Sequence, residues 1–340
     1  MFRHVPLFCK KRNPEDGTGD GMNRLDVVIP VYRPDRRFYK LIQMIFRQSE
    51  LPGKLQVMLT LSGEEDEKEK LLARIRKLQA NAGADSVEIA AEAFPRAEFD
   101  HGGVRNRGIA ACHAPYVLCM TADAVPADTN LFRTMADAME SDNNIIAVYA
   151  RQVAPAGADR IVRHTQHFNY PPSGRKKTAK SVRELGIKTI FCSDVCCLYH
   201  RNRFFCLDGF EEPVLFGEDM IFAAKAIESG YTVFYEAAAV VEHGHSFSLT
   251  GTFRRNFDSG VNQAVHAELF SRFSSEKEGM KYVKYMLAEL RKEHAYFAMA
   301  EFVLQCAAKY VGFLLGKHYR MLPKALVKKL SNHAKYFERS

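Results

Sequence analysis

The chain of 340 residues is predicted to fold as an α/β domain around a mostly parallel central sheet, followed by a helical C-terminal extension. Three observations predict this class. Short apolar runs rich in β-branched residues alternate with segments of helical spacing as far as Met120, and the links between them are short. From Thr252 to the end the pattern is predominantly helical.

LDVVIPVY (25–32) is an apolar, β-branched run closed by Arg33-Pro34, as expected of a buried parallel strand and its turn. In RRFYKLIQMIFRQ (36–48), Phe38, Leu41, Ile42, Ile45 and Phe46 share one helical face. KLQVMLTL (54–61) is a second strand, EEDEKEKLLARIRKLQANAG (64–83) a charged amphipathic helix closed by Gly83, and SVEIAAEA (86–93) a third strand. HGGVRNRGIAACHA (101–114) takes helical spacing after a glycine-bearing start and leads into YVLCM (116–120), the fourth strand. Beyond it, 127–142 is predicted helical and IIAVYARQVA (145–154) a strand. The basic, proline-opened stretch 170–185 is expected to be a mobile loop, and TIFCSDVCCLYHR (189–201) a strand or strand pair. Residues 216–246 follow as an acidic turn, a helix ending at Gly230, a strand and a His-rich turn.

Hydrophobic residues make up 47% and charged residues 26%, which fits an ordinary globular protein. Strict counting finds no apolar run of the roughly 18–20 residues needed to cross a bilayer. Residues 1–23 lack the apolar core of a secretory signal and are expected to be a flexible lead-in, with Met22 a possible natural start. A cytoplasmic protein is expected. None of the eight cysteines forms a C-x-x-C pair, so Cys192, Cys196 and Cys197 are expected as buried apolar filler in a reducing compartment. The net charge of +8 sits almost wholly at one end: Lys309 to Ser340 hold eight Lys or Arg against Glu338 alone. A charge so placed, without an aromatic-basic stacking surface, argues against nucleic acid as a partner.

Three polar clusters interrupt the apolar patterns: Asp123, Glu218-Asp219 and His243-His245. In parallel α/β sheets ligands bind at the carboxyl ends of strands, and Asp123 lies just past YVLCM at such an end. A carboxylate and an imidazole from separate loops can complete the shell of Mg²⁺ or Mn²⁺ on a diphosphate. One acid at the start of MIFAAKAIES is explained by the helix dipole, two are not.

In order and spacing, these clusters resemble the family 2 inverting glycosyltransferases of the GT-A fold. The likeness runs from about Leu25 to His245 through VVIPVYRP, GGVRNRGIAACHAPYVLCMTADAVP, SDVCCLYHRNRFFCLDGFEEP and GEDMIFAAKAIESGY. EHGHSFSLTGTFRRNFDSGV and the ending CAAKYVGFLLGKHYRMLPKALVKKLSNHAKYF are similar to a subgroup that transfers rhamnose from dTDP-rhamnose in bacterial surface polysaccharides. The resemblance implies a GT-A domain over 24–250 and a basic helical extension over 251–340. It implies that Asp219, or else Glu218, takes a proton from the acceptor hydroxyl, and that Asp123 meets the metal or donor phosphates. His245 or His243 would be the late histidine near the diphosphate. Arg105 and Asn106 would stand at the nucleotide-side helix start, where Arg can pair with phosphate. Asp194 would lie near the sugars, and Pro30 and Tyr32 of the first-strand motif would belong to the donor site. Two positions depart from the pattern. Thr121 stands where the family commonly has the first acid of Asp-x-Asp, and Thr60 or Ser62 where many members have the uracil-contacting Asp. The second departure favours a dTDP donor over a UDP donor.

The implied partners are a nucleotide-sugar donor, dTDP-rhamnose foremost, and a saccharide or polyprenyl-linked acceptor. A UDP-hexose donor and a non-catalytic scaffold remain as alternatives. The segment from Tyr296 to Leu315 is apolar in patches but broken by Glu301, Gln305 and Lys309. With its basic end it could lie peripherally on the inner, anionic face of the cell membrane, each near-surface Lys or Arg adding about 1 kcal/mol. The same helices could instead cap the domain or form a homodimer.

Overall fold

The structure, a computed structural model, describes residues 24–49, 54–273 and 276–339. The expected 1–23 lead-in lies outside the described residues. Nine strands in the described residues join one sheet: β1 (Leu25–Val31), β2 (Leu55–Ser62), β3 (Val87–Phe94), β4 (Tyr116–Met120), β5 (Val125–Pro126), β6 (Ile145–Val153), β7 (Arg175–Lys177), β8 (Cys196–His200) and β9 (Thr232–Glu242). Their order is β3-β2-β1-β4-β8-β6-β9-β5, with β7 also on β9. β3, β2, β1 and β4 run parallel, β8 is antiparallel to both β4 and β6, and β9 is parallel to β6. The carboxyl ends of β1, β2, β4, β6 and β9 and the start of β8 therefore share one edge.

Side chains alternate across each strand and so feed two cores. Leu25, Val27, Ile29 and Val31 of β1 pack with α1 (Arg36–Phe46), α2 (Glu65–Ala82) and α4 (Leu131–Glu140). Val28 faces the opposite side, where α3 (His101–Ala111), α7 (Arg201–Cys206) and α8 (Glu218–Glu228) cover the sheet. Two of these helices start on a side-chain cap. Asp35 caps α1 by accepting from Arg37 N at 2.8 Å and Phe38 N at 3.1 Å, and Asp100 caps α3 by accepting from Gly103 N at 2.9 Å. The remaining helices are α5 (Arg160–Asn169), α6 (Val182–Leu185), α9 (Leu249–Val265), α10 (Ala267–Ser271), α11 (Glu276–Lys292), α12 (Tyr296–Lys317), α13 (Lys324–Leu330) and α14 (Tyr336–Arg339). Phe257 and Val261 of α9 pack with Val327 of α13 and with Leu215, just ahead of α8, so the C-terminal helices are built against the segment that leads into α8.

Two expectations need correction. The 170–185 stretch is not a free loop: β7 pairs with β9, and Lys177, only 3% exposed, directs Nζ to the Tyr149 hydroxyl at 3.0 Å and to the carbonyl of Phe191. An Arg-Lys-Lys run gives a solvated pattern unless a partner elsewhere in the chain supplies acceptors, which is what happens here. The 189–201 stretch carries a single strand, the first of its two expected readings, because Ser193 and Asp194 are engaged by the side chains of Gln152 and Asp219 before β8 begins. The second correction concerns α12, which is long and apolar enough to cross a membrane by length and composition, where strict counting finds no such run. Cys192, Cys196 and Cys197 are buried as expected.

Candidate active site

The shared sheet edge collects the residues singled out in the sequence. β4 ends at Met120, and the next residue, Thr121, donates its N–H to the carbonyl of Val195 at 3.1 Å. Its neighbour Asp194 donates its N–H to Asp219 Oδ2 at 3.1 Å. Two hydrogen bonds, one between backbone groups and one from a backbone N–H to the Asp219 carboxylate, thus connect the Asp123 turn to the start of α8. The expected phosphate-side acid and the expected base are brought to the same place.

The carboxylates at this centre surround one guanidinium. Arg105 of α3, 5% exposed, lies with Nη1 2.9 Å from Glu218 Oε1 and Nε 3.2 Å from Asp194 Oδ2, and donates to the carbonyl of His101 at 3.0 Å. Asp194 also accepts from the Tyr199 hydroxyl at 2.5 Å. Burial pushes Asp194 up to about 7 against the pull of Arg105, with the Glu218 charge adding to the rise. Glu218 goes the other way: burial would raise it, but Arg105, His101 and backbone N–H groups together hold it low. Asp219 is raised well above the carboxylate range by burial and then by the charges of Asp194 and Glu218. Its side chain is only half-buried, so it is the carboxylate of the three that an acceptor can reach. Gly217 caps α8 at φ +76, a left-handed conformation that turns the chain sharply enough to aim both acids inward.

Asp123, His243 and His245 form the second cluster. Their ligand atoms lie within 4.8 Å of one another. His245 Nε2 is 2.8 Å and His243 Nε2 3.5 Å from Asp123 Oδ2. Beyond these two imidazole contacts, the buried Oδ2 has no hydrogen-bond donor among the described residues. Burial would raise Asp123, but His245, His243 and Thr121 hold it well below the usual carboxylate range. Gln152 fixes the tautomer of His243: its Nε2 donates to Tyr170 and Ser193, so Oε1 must accept from His243 Nδ1 at 2.9 Å. The His243 Nε2 lone pair then faces an ionised carboxylate, an arrangement that a cation relieves. One carboxylate and two imidazoles suit a divalent transition ion such as Mn²⁺, and the donor set fits. The loop carrying the histidines is held by α5, since Gln166 donates to the carbonyl of His243 at 2.7 Å and Ser246 to Asp159.

Other expected residues fall around this centre. Tyr32, 51% exposed, follows β1, where Arg33 at φ +48 and Arg96 lie over its ring. A cavity of about 290 Å³ opens beside it between the ends of β1 and β2, walled by Tyr39, Leu61, Ser62, Leu71, Arg74 and Arg96. Pro30 stands in register with Thr60 just inside that end. Arg105 and Asn106 do not reach outward as a phosphate role would require. Arg105 is enclosed among carboxylates, and the Asn106 amide is tied to both backbone groups of Phe210 at 2.9 and 3.0 Å.

Three further residues carry no local sequence signal. Arg37 of α1 donates to the carbonyls of Asp123 and Glu242 at 3.0 and 2.8 Å, pinning both arms of the Asp–His cluster, and Gln152 orients His243 as described. Arg255 of α9 is exposed and lies 4.8 Å from the Phe216 ring and 5.4 Å from the Phe247 ring, between the two clusters. No hydrogen bond or ion pair engages its guanidinium among the described residues.

Comparison with known proteins matches this geometry. The sequence profile of glycosyl transferase family 2 covers residues 26–205. Among curated relatives, the chain is 32% identical over 316 residues to the O-antigen chain rhamnosyltransferase RfbN of Salmonella typhimurium, covering 92% of this chain and 96% of the relative. It is 34% identical over 242 residues to the O-antigen chain rhamnosyltransferase WbaN of Salmonella anatum, covering 71% and 76%. Two solved structures share the fold at low identity. One is S. aureus TarS 1–349 in complex with UDP-GlcNAc, at TM-score 0.52 and 12% identity over 92% of this chain and 88% of that one. The other is the mannosyltransferase PcManGT of Pyrobaculum calidifontis with GDP-Man and Mn²⁺, at TM-score 0.51 and 15% identity over 98% and 92%. With a half-buried carboxylate at the head of α8, an Asp–His cluster at the same sheet edge and these relatives, the chain belongs to glycosyl transferase family 2 and is a glycosyltransferase of the GT-A fold.

Proposed function

We propose that the enzyme transfers L-rhamnose from dTDP-rhamnose, with inversion, to a saccharide or polyprenyl-linked saccharide of a cell-surface polysaccharide, in the cytoplasm. The observation that carries this reading is the meeting of Asp219 and the Asp123–His243–His245 cluster at one edge of the sheet. The names of the two relatives support rhamnose and a surface-polysaccharide acceptor. The cavity beside Tyr32 supports a thymine base in this reading: Leu61 and Leu71 line it, β2 ends there at Ser62 and not at an acid, and the carboxylate in its wall, Glu67, comes from α2.

In this reading Asp219 accepts the proton of the acceptor hydroxyl as its oxygen bonds to the anomeric carbon. The bond from that carbon to the diphosphate breaks on the opposite face, inverting the centre, and dTDP leaves with the electron pair. Arg105 keeps Glu218 ionised and anchors Asp194, whose N–H orients Asp219. Arg255 offers an unengaged guanidinium to the diphosphate. Asp123, His243 and His245 would hold Mn²⁺ or Mg²⁺, which when bound offsets charge on the departing diphosphate.

The test is calorimetric binding of dTDP-rhamnose against UDP-glucose, UDP-galactose and UDP-N-acetylglucosamine, first with Mn²⁺ and then with EDTA. Selective, metal-dependent binding of dTDP-rhamnose is expected. Preference for a UDP-sugar sinks the rhamnose assignment, and binding of none points to a scaffold.

A further inference from the structure

The C-terminal helices leave one long apolar face bare. α12 has 22 residues, so it is about 33 Å long at 1.5 Å per residue. Tyr296, Phe297, Val303, Leu304, Tyr310, Val311 and Leu314 are all exposed, Phe297 at 96%. At 100° per residue these side chains, with Ala300 and Ala307, fall on a single face. Glu301 and Lys317 mark its borders. The opposite face cannot be freed to let the helix cross a bilayer. Gly312 and Gly316 sit so close to α9 that an added Cβ would lie 2.4 Å from the Phe253 carbonyl oxygen and 2.0 Å from that of Phe257. Phe302 and Met286 bury the other end of the helix against α11.

Charge identifies what covers the bare face. Lys317, Arg320, Lys324, Lys329 and Lys335, at the carboxyl end of α12 and beyond it, are exposed and have no acidic partner among the described residues. Met321, 82% exposed, projects among them. A second copy of the chain docking through the same face would bring no complementary acidic patch to these cations. An anionic lipid surface would neutralise them while its acyl boundary takes up the apolar stripe.

We infer that α12 and the basic turn after it form a docking surface for anionic phospholipid, with the helix lying in the plane of the bilayer surface instead of spanning it. This holds whichever sugar the catalytic centre transfers.

The test is co-sedimentation of the full chain with vesicles of phosphatidylglycerol and phosphatidylethanolamine, and with vesicles of phosphatidylcholine alone. The chain is expected to bind the anionic vesicles at least tenfold more tightly, and to release as salt is raised. Phe297→Glu with Leu304→Glu is expected to weaken anionic-vesicle binding at least tenfold while circular dichroism and calorimetric dTDP binding stay unchanged. If that pair fails to fold, Lys317→Glu with Lys324→Glu tests the charge component on exposed positions and is expected to remove most of the salt-sensitive binding. Failure of the unaltered chain to bind anionic vesicles overturns the inference. So does vesicle binding that a folded face variant leaves unchanged, including a case where that variant only splits a dimer. A chain that binds vesicles but no dTDP-sugar leaves this inference standing and sinks the donor assignment.

Discussion

The two halves of the active site are built on opposite principles. Around Arg105, three carboxylates are held by a buried guanidinium, a tyrosine hydroxyl and backbone N–H groups, and the positions of Asp194 and Glu218 are set before any substrate arrives. Around Asp123, the carboxylate and two imidazoles converge without completing one another's hydrogen bonds, and His245 is 49% exposed. In the proposed reading the first cluster holds one proton acceptor steady in a setting of low dielectric, where an unanswered charge is costly. The second, in the same reading, receives a ligand that brings its own charge, which fits its incompleteness.

The contrast is broken most directly at Asp219. Asp219→Asn is expected to lower the turnover rate by about 10²–10⁴ while donor binding stays intact, because only proton acceptance is lost. A variant that keeps its rate would move the base elsewhere. Arg105→Met is expected to destabilise the fold by about 3–5 kcal/mol in urea unfolding, since it leaves buried carboxylates without a partner. A loss of activity with unchanged stability would return Arg105 to a substrate-facing role.

At the open cluster the expected effects are smaller and fall on affinity. Gln152→Met removes the acceptor that orients His243, and Mn²⁺ affinity is expected to fall about 10–100-fold with little change in turnover at saturating metal. Titration of free Mn²⁺ measures it, and unchanged affinity would mean that His243 is no ligand. The smallest effect is on pH dependence. Asp219 must be ionised to accept a proton, and its pKa is raised in the fold. The acid limb of kcat/KM should therefore lie above the ordinary carboxylate range, with activity lost as pH falls through it. Asp194→Asn removes one of the charges that raise Asp219 and should move that limb to lower pH. A limb that stays in place would show that burial alone sets it.

Much of the fold was legible along the chain, and the reason is visible in particular elements. The alternation of Leu25, Val27, Ile29 and Val31 and the spacing of Phe38, Leu41, Ile42 and Ile45 follow from local periodicity, and each set is buried as its pattern requires. Asp123, Asp219 and the histidines were legible because each is polar at the end of an apolar run. Lys177 was not, since its acceptors Tyr149 and Phe191 are 28 and 14 residues away. Arg105 carried a signal that pointed outward, and only its neighbours Asp194 and Glu218, from two other elements, turned it into an internal counter-ion.

By itself the sequence determined the alternation of strands and helices through β4, the strand-end acids and histidines, and the basic tail, because all of these depend on residue type and spacing over a few neighbours. Only the tertiary structure decided which charges answer which. Coulombic and hydrogen-bond partners are chosen by distance in space, and the sheet order β1-β4-β8-β6-β9 brings residues 105, 123, 194, 219 and 243 to one edge. It also decided that α12 would turn its glycines to α9 and its aromatic face outward, which composition alone left open.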